Sequence, residues 1–250
     1  MLKKNKNKFC FLIPARIGSS RLYGKPLKKI GKYTLIERVY NNCLESKYQS
    51  KVIITTDSKK IMKFCNERQM NCMITGSHDC GSSRIAEAAK LVKEKWIMEV
   101  QGDEPFLNSR ILDRWIGKCE KSIKQKYFPD LFLAYVHLNY ENAKNKKFVK
   151  LILNKNEEIL WSSRSMIPSD YKGNIKSKMY RHTGVHLWKR SSLIRFGKLK
   201  KSKIEKSEDT HSLRMIENDF VIKGIKIENT HAIDVPIDLY KARQMVRDEK

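Results

Sequence analysis

The sequence lacks the features that mark membrane, secreted and zinc-binding proteins. No apolar run approaches the roughly 20 residues that cross a bilayer. The six cysteines show no Cys-x-x-Cys pair, which disfavours a zinc site and a disulfide framework. The basic N-terminus turns apolar for only about six residues before residues 14–16 (PAR), too few for a signal peptide. We therefore expect a cytoplasmic protein with reduced thiols and no membrane insertion.

Acidic residues are scarce: 27 Asp and Glu stand against 52 Lys and Arg, for a formal net charge of +25. This charge permits a nucleic acid, an anionic membrane surface or an acidic small substrate as partner. The basic residues are spread along the chain, and no zinc-finger spacing, leucine-zipper heptad or aromatic RNA-binding motif is present. We expect no nucleic-acid partner, and a non-catalytic nucleic-acid-binding protein is the distant alternative.

The 250 residues, 40% of them hydrophobic, suffice to bury a sizeable core. Apolar runs predict strands over 9–14, 51–57, 72–75 and 96–100, and helical spacing predicts helices over 34–46, 58–69 and 84–95, with Thr34 and Ser58 as N-caps. This alternation favours an α/β fold with a mainly parallel sheet, whose ligands bind beyond the carboxyl ends of the strands. Further strands are expected over 131–138, 148–154, 158–162, 184–188 and 220–227, with a hairpin around 154–156, and a last helix over 236–246.

The loop after the first strand, residues 13–27 (IPARIGSSRLYGKPL), combines small residues with cations. Residues 18–20 offer the free backbone amides of an anion-binding nest, and Arg16, Arg21 and Lys25 add positive charge. Proline follows the Gly-Lys pair, which excludes a Walker A loop, and the three-glycine dinucleotide spacing is absent. The pattern favours phosphate binding over an ordinary basic surface loop.

Two aspartates are candidate metal ligands. Asp103 follows a predicted strand within VQGDEP at 100–105, and one or two carboxylates are what Mg²⁺ usually takes from a protein. An ordinary strand-end turn is the alternative there. Asp234 precedes Pro236, at the start of the last predicted helix, so it is either a helix N-cap or a second metal ligand.

Basic and histidine side chains recur in residues 161–168 (WSSRSMIP) and 180–188 (YRHTGVHLW). Arg164 and Arg181, with His182 and His186, would suit an acidic, polyhydroxylated ligand. Two histidines four residues apart also suggest zinc on a helix, but the Gly-Val pair between them indicates a strand, so we expect no metal there.

Together these segments resemble the cytidylyltransferases that activate 3-deoxy-manno-octulosonate (KDO). The resemblance covers residues 11–246, and its most specific parts are PARxxSSRLxGKPL at 14–27 and VQGDEP at 100–105. The relatives that activate sialic acids differ at the second of these. Shorter matches lie at 81–84 (GSSR), 149–150 (VK), 163–168 (SRSMIP), 181–184 (RHTG) and 233–239 (IDVPIDL).

The resemblance implies a Rossmann-like nucleotidyltransferase fold, in which helices flank the sheet and a smaller mixed α/β portion is added. It implies one domain with a mainly nucleotide-binding part (1–130), a mainly sugar-binding and dimerisation part (131–230) and a returning segment (231–250). The implied homodimer uses Mg²⁺ to transfer CMP from CTP to a 2-keto-3-deoxy sugar acid and releases pyrophosphate, for surface polysaccharide or lipopolysaccharide synthesis.

The resemblance also implies roles for individual residues. The catalytic set is Arg16, Lys25, Asp103 and Asp234, of which the two aspartates hold Mg²⁺. The nucleotide contacts are Pro14, Ala15, Arg16, Ser20, Lys25, His78, Gly81, Ser82, Arg84 and Gln101. The sugar-acid contacts are Arg164, His182, His186, His211 and Ser212.

Three departures from the family pattern concern the substrate. The nucleoside loop, usually Gln-Ser-Gly-Thr, is Asp-Cys-Gly-Ser at 79–82. His186 replaces a usual tyrosine, and the usual Glu-Gln-Leu-Arg is His-Ser-Leu-Arg at 211–214. The acceptor therefore stays open between KDO, its 8-amino analogue, another nonulosonate and a phosphonate.

Overall fold

A computed structural model describes residues 9–19, 21–173, 178–228 and 231–247. Its strands are β1 (Phe9–Pro14), β2 (Lys29–Ile30), β3 (Tyr33–Thr34), β4 (Gln49–Thr56), β5 (Cys72–Ile74), β6 (Trp96–Val100), β7 (Leu131–Leu138), β8 (Lys150–Leu153), β9 (Ile159–Ser163), β10 (Met179–Lys189) and β11 (Ile222–Lys226). Its helices are α1 (Leu35–Leu44), α2 (Lys59–Glu67), α3 (Gly81–Ala88), α4 (Ser109–Lys124), α5 (Tyr140–Ala143), α6 (Arg190–Phe196), α7 (Lys203–Glu208), α8 (Ser212–Ile216) and α9 (Pro236–Arg247). A 3-10 helix spans Lys25–Leu27.

The main sheet runs in the order β11-β7-β10-β6-β1-β4-β5. Strands β6, β1, β4 and β5 are mutually parallel, as the sequence predicts. Strand β10 enters antiparallel between β6 and β7, and the predicted hairpin β8–β9 branches from it. The prediction for β10 was too short, because its pairing with β7 and β8 already begins at Met179 and Tyr180.

Successive side chains of β1 pack on opposite faces of the sheet. Phe9, Phe11 and Ile13 lie in one buried cluster with side chains of α1, α2 and α4. Cys10 and Leu12 lie in a second cluster with side chains of α3 and α6. Because a strand directs successive residues to opposite faces, its unbroken apolar run indicates burial on both sides.

Local capping decides where the helices begin. The predicted capping box is present in α1: Thr34 Oγ1 accepts from the Glu37 amide at 3.3 Å, and Glu37 accepts from the Thr34 amide at 2.7 Å. Ser58 caps α2 as expected. The prediction for α3 was wrong at both ends, since α3 spans Gly81–Ala88 rather than 84–95. The reason at its start is Cys80, whose sulfur accepts from the Ser83 amide at 3.4 Å.

The C-terminal segment returns to the start of the chain. Leu239, Ala242 and Val246 of α9 pack with Ile30 and Leu35 in a small separate core. This packing sets residues 231–235 beside the end of β6. Within the described residues, no helix is both long enough and apolar enough to cross a bilayer.

Candidate active site

The carboxyl ends of β1 and β6 carry the two loops that the sequence singles out. The turn after β6 lies so close to β1 that a Cβ on Gly102 would come within 2.9 Å of the Pro14 carbonyl oxygen. The returning segment joins them, because the Ile233 amide donates to the Asp103 carbonyl at 2.9 Å. Three stretches distant in sequence therefore meet at one edge of the sheet.

A cluster of opposite charges forms where they meet. The Lys25 ammonium lies 2.7 Å from Asp103 Oδ2 and 3.5 Å from Asp234 Oδ1, and it also donates to the Ile233 carbonyl at 2.9 Å. Arg21 adds a second cation 3.3 Å from Asp234 Oδ1. The structure thus brings Lys25 and both predicted metal ligands together. We call Lys25, Arg21, Asp103 and Asp234 the Lys25 cluster.

The carboxylate of Asp234 faces the Lys25 cluster and does not cap α9. The helix begins at Pro236, and the amides of Asp234 and Val235 donate instead to Asp238 Oδ2, at 2.9 and 3.1 Å. Lys147 donates to Asp238 at 2.9 Å and, against the effect of burial, helps to lower the pKa of that carboxyl. The helix-cap interpretation of Asp234 is therefore wrong.

The donor set of the Lys25 cluster fits Mg²⁺. It offers two carboxylates, and Mg²⁺ takes one or two from a protein while substrate phosphate and water fill the other positions. Across the described ranges no group of three or more histidine, cysteine or acidic side chains is placed to hold a metal ion. The site therefore suits a hard cation that arrives with a phosphate ligand.

The predicted phosphate loop supplies two members of this cluster, Arg21 and Lys25. Pro14 and Ala15 are buried at the end of β1, where the Ala15 amide donates to the Thr55 carbonyl at 2.9 Å. Arg16 is exposed next to them. Ser20 lies outside the described residues, so its predicted nucleotide contact stays a prediction.

Three side chains of the predicted nucleoside loop have partners within the protein. Arg84 is buried and donates to Thr75 Oγ1 at 2.7 Å and to Asp57 at 2.8 Å. His78 lies 2.6 Å from Glu87, on α3. Ser82 is fully buried. These contacts shape the loop after β5, and the predicted roles of the three residues toward a nucleotide stay predictions.

Gln101 is held between two glycines. A Cβ on Gly81 would lie 2.8 Å from Gln101 Nε2, and one on Gly184 would lie 2.7 Å from Gln101 Cγ. The Gln101 amide nitrogen donates to Glu99 Oε1 at 2.5 Å, and the backbone amide of Gln101 donates to the Gly184 carbonyl at 2.9 Å. The orientation of this side chain is therefore set on every side.

An irregularity in β10 brings His182 and His186 into contact. From His182 to His186 the strand advances four residues, while its partner β7 advances only two, from Tyr135 to Leu133. A regular strand would separate these Cα atoms by about 13 Å. Here the two Nε2 atoms lie 2.8 Å apart, and the His211 ring centroid lies 5.8 Å from each of the two rings.

Only some of the predicted sugar contacts reach the surface. His182 and His211 are half-buried, whereas His186 and Ser212 are fully buried, with Ser212 2.8 Å from Ser162. Arg164 is partly exposed and donates to the carbonyls of four residues, Lys146, Lys147, Glu208 and Asp209. The structure thus places the three histidines together and uses Arg164 to join neighbouring loops.

Comparison with known proteins decides the family. The profile described as Cytidylyltransferase matches residues 10–227. The chain is 35% identical over 228 residues to a 3-deoxy-manno-octulosonate cytidylyltransferase of Fusobacterium nucleatum, with 90% of each chain covered. It is 31% identical to one of Leptospira interrogans, with 95% of this chain and 98% of that one covered. The chain belongs to the 3-deoxy-manno-octulosonate cytidylyltransferase family.

Solved structures agree with this assignment. A CMP:2-keto-3-deoxy-manno-octonic acid synthetase in complex with CTP superposes with a TM-score of 0.88 at 26% identity, covering 98% of this chain and 100% of that one. A 4-diphosphocytidyl-2C-methyl-D-erythritol synthase from Anaerococcus prevotii shares the fold alone, with a TM-score of 0.58 at 14% identity. The predicted nucleotidyltransferase fold and enzyme class are confirmed for this cytidylyltransferase.

Two polar residues of this cytidylyltransferase that sequence reasoning missed lie under the histidines. Glu99 is fully buried in β6, and Trp188 donates to it at 2.7 Å. A signal for Glu99 was available, because a single acid inside the apolar run WIMEV must find buried donors or leave the strand. Which donors it finds could not be foreseen, since they come from residues 82, 101, 186 and 188.

Proposed function

We propose that this cytidylyltransferase transfers CMP from CTP to a 2-keto-3-deoxy sugar acid, with release of pyrophosphate. The observation that carries the proposal is the Lys25 cluster, where Lys25 lies 2.7 and 3.5 Å from two carboxylates at the carboxyl edge of a parallel sheet. Ligands of open α/β sheets bind at this edge. The relatives named for 3-deoxy-manno-octulosonate and the relative solved with CTP support the two substrates.

The reaction requires two anions to meet. The anomeric hydroxyl of the sugar acid attacks the α-phosphorus of CTP in line, and the bond to pyrophosphate breaks. Alignment and neutralisation of charge are therefore the main tasks of the protein, and covalent catalysis is not needed. Lys25 and the exposed Arg16 are the cations that we assign to the phosphate groups, where they stabilise charge that grows on the leaving pyrophosphate.

Asp103 and Asp234 are the residues that would hold Mg²⁺. The ion would supply neutralisation of phosphate oxygens and a lower pKa of the attacking hydroxyl. In the free protein these carboxylates contact Lys25 and Arg21 instead. Binding of the nucleotide then gives both cations new anionic partners, which frees the carboxylates.

The identity of the acid is the part of the proposal that rests on fewest residues. His186, His211 and Ser212 depart from the family pattern, and all three lie at or under the cluster of histidines. We keep KDO as the first candidate. Its 8-amino analogue, another nonulosonate and a phosphonate are the alternatives.

The test is pyrophosphate release with CTP, Mg²⁺ and each candidate acid in turn. We expect one acid to support turnover, and Asp103→Asn to abolish that turnover while the circular dichroism spectrum stays unchanged. Asp113→Asn is the matched control, because Asp113 accepts from Ser46, just after the end of α1, and has no contact with the Lys25 cluster among those described. Absence of turnover with every acid and tight duplex binding with a steep salt dependence would instead support the nucleic-acid alternative.

The assembly and location of the enzyme follow from the same proposal. We propose a homodimer in which residues 131–230 supply the contact, and a cytoplasmic location where CTP is available. Light scattering during size-exclusion chromatography measures the mass directly, and a mass of about 29 kDa, the 29.4 kDa of one chain, would contradict the dimer.

A further inference from the structure

A buried network of hydrogen bonds lies under the two half-buried histidines, and Glu99 is its centre. The Glu99 carboxylate accepts from Ser82 Oγ, 2.9 Å from both of its oxygens, and from Gln101 Nε2 at 2.5 Å. It also lies 2.9 Å from His186 Nδ1 and 2.7 Å from Trp188 Nε1. Four side chains therefore converge on a carboxylate that has no exposed surface.

Glu99 is ionised within this network. Burial alone would raise its pKa, but the charge and hydrogen bonds of His186 and the other neighbours hold the pKa of Glu99 below its usual value. An ionised carboxylate only accepts hydrogen bonds. Each neighbour must therefore present a hydrogen to it, so Ser82 uses its single hydroxyl hydrogen and His186 carries a proton on Nδ1.

The first branch of the network ends at His211. Its Nε2 lies 3.2 Å from the oxygen of Ser82. Because the Ser82 hydrogen is already donated to Glu99, the hydroxyl oxygen must accept from the Nε2–H of His211. Burial, reinforced by His186, lowers the pKa of His211 to about 4, so the ring holds one proton at neutral pH and Nδ1 is left as an acceptor.

The second branch ends at His182. Its Nε2 lies 2.8 Å from Nε2 of His186, whose Nδ1 donates to Glu99. Burial and then the neighbouring His186 and His211 hold the pKa of His182 well below its usual value. One of the two Nε2 atoms donates and the other accepts, so this contact assigns the proton to neither ring, and the tautomer that the network fixes is that of His211.

We propose that Glu99, acting through Ser82, is a positioning residue that determines which ring nitrogen carries the proton in His211. That ring then offers an unprotonated Nδ1 to a hydroxyl or ammonium donor of the sugar acid. The identity of this ligand rests on the proposed function, but the protonation pattern is a property of the free protein.

The first test is the protonation pattern itself, measured at pH 8 by long-range ¹H–¹⁵N spectra of protein labelled in histidine. We expect a single tautomer of His211, with the proton on Nε2. Glu99→Met removes the acceptor that orients the Ser82 hydroxyl and should convert His211 to a mixture of tautomers. A wild-type protein with Nδ1-protonated His211 would overturn the proposal.

Two further variants do not depend on the folding of Glu99→Met. Ser82→Ala removes the hydroxyl between Glu99 and His211 and should convert His211 to a mixture of tautomers. Trp188→Phe removes another donor to the same carboxylate and should leave the His211 tautomer unchanged. The proposal fails if Ser82→Ala leaves His211 as a single Nε2 tautomer, or if Trp188→Phe converts it to a mixture.

The second test separates positioning from nucleotide contact. Loss of a neutral hydrogen bond is worth about 0.5–1.5 kcal/mol, so Ser82→Ala should raise the KM for the sugar acid about two- to tenfold and change the KM for CTP less than twofold. A larger rise for CTP would assign Ser82 to the nucleotide and overturn its role here. Comparison of KDO with its 8-amino analogue distinguishes a hydroxyl from an ammonium donor. If no acid is turned over, the proposed function fails while the spectra still decide the protonation pattern.

Discussion

Replacing Lys25 by methionine is the most direct test of the active-site cluster. Methionine keeps the length and the apolar stem of lysine but removes the ammonium, and with it the contacts at 2.7 Å to Asp103 and 2.9 Å to the Ile233 carbonyl. Asp234 keeps Arg21 at 3.3 Å, so only Asp103 loses its cationic partner. The perturbation therefore falls mainly on Asp103 and the Ile233 carbonyl, while Asp234 loses its longer contact at 3.5 Å.

Loss of the Lys25 ammonium should change the free energy of unfolding modestly and kcat strongly. A hydrogen bond to a charged group contributes about 1.5–3 kcal/mol, and partial exposure, 14% for Lys25 and 24% for Asp103, places this one near the lower end. Removal of a preorganised donor to charge that develops in the transition state costs about 10²–10³ in kcat. We expect a folded variant that has lost about 1–2 kcal/mol of stability and at least about 100-fold in kcat.

Initial rates of pyrophosphate release at saturating CTP and acceptor separate kcat from KM, and urea unfolding measures the stability. Lys28→Met is the matched control, because Lys28 is an exposed lysine three residues further along the chain. This variant should leave kcat and KM within about twofold of the wild-type values. A variant whose defect is confined to the KM for CTP would show that Lys25 binds the ground state and does not act on the transition state. Near-normal kcat would refute the reasoning altogether.

Three further predictions concern the surrounding framework. Gly184→Ala should lower kcat/KM at least tenfold without unfolding, because its Cβ would lie 2.7 Å from Gln101 Cγ. Gly117→Ala, whose Cβ would lie 3.5 Å from the Tyr48 hydroxyl, should leave steady-state rates unchanged. Arg214→Met should cost about 3–5 kcal/mol in urea unfolding, since it leaves the buried Glu205 carboxylate, now 2.6 Å from the guanidinium, without a cation; a loss below 1 kcal/mol would contradict this. The pKa of His211 is lowered to about 4, so the unfolded chain binds the additional proton first and stability falls as the pH drops from about 6.5 toward 4. At pH 5 this group alone should lower the free energy of unfolding by about 2 kcal/mol. His211→Gln should therefore reduce the loss of stability between pH 7.5 and pH 5 by the same amount.

Local patterns in the sequence predicted the elements that form from local interactions. The capping box of Thr34 and Glu37 and the cap of Ser58 are contacts over three residues, and both are present as expected. The apolar run of β1, and that of β6 with Glu99 as its single charged residue, likewise identified buried strands. Sulfur is a weak acceptor, so Cys80 gave no comparable signal as the cap that starts α3.

Non-local pairing was the part that periodicity could not supply. Strand β10 pairs between β6 and β7. Between His182 and His186 it contains two more residues than the paired stretch of β7, and this irregularity brings the two histidines into contact. A sequence window holds no information on the register between strands so far apart. The same holds for the partners of Glu99, which come from α3 and β10 as well as its own strand. Helices α4, α5, α6, α7 and α8 were also not predicted.

The convergence of the Lys25 cluster could be anticipated only in part. Strand-end positions and the family resemblance indicated that Asp103 and Lys25 would meet, because both follow neighbouring parallel strands. The arrival of Asp234 depends on the small core between α9 and residues 30–35. Since that core is formed by scattered apolar residues of two distant segments, no local pattern identifies it.

The path of the returning segment has a consequence for damaged or unfinished molecules. A polypeptide that stops before residue 231, or loses its end to a protease just after β11, still contains every strand of the main sheet. It lacks Asp234 and the Ile233 carbonyl that the Lys25 ammonium contacts. Such a fragment would keep most of its secondary structure but would be inert, so turnover reports on the completeness of a preparation where spectroscopy of the backbone does not.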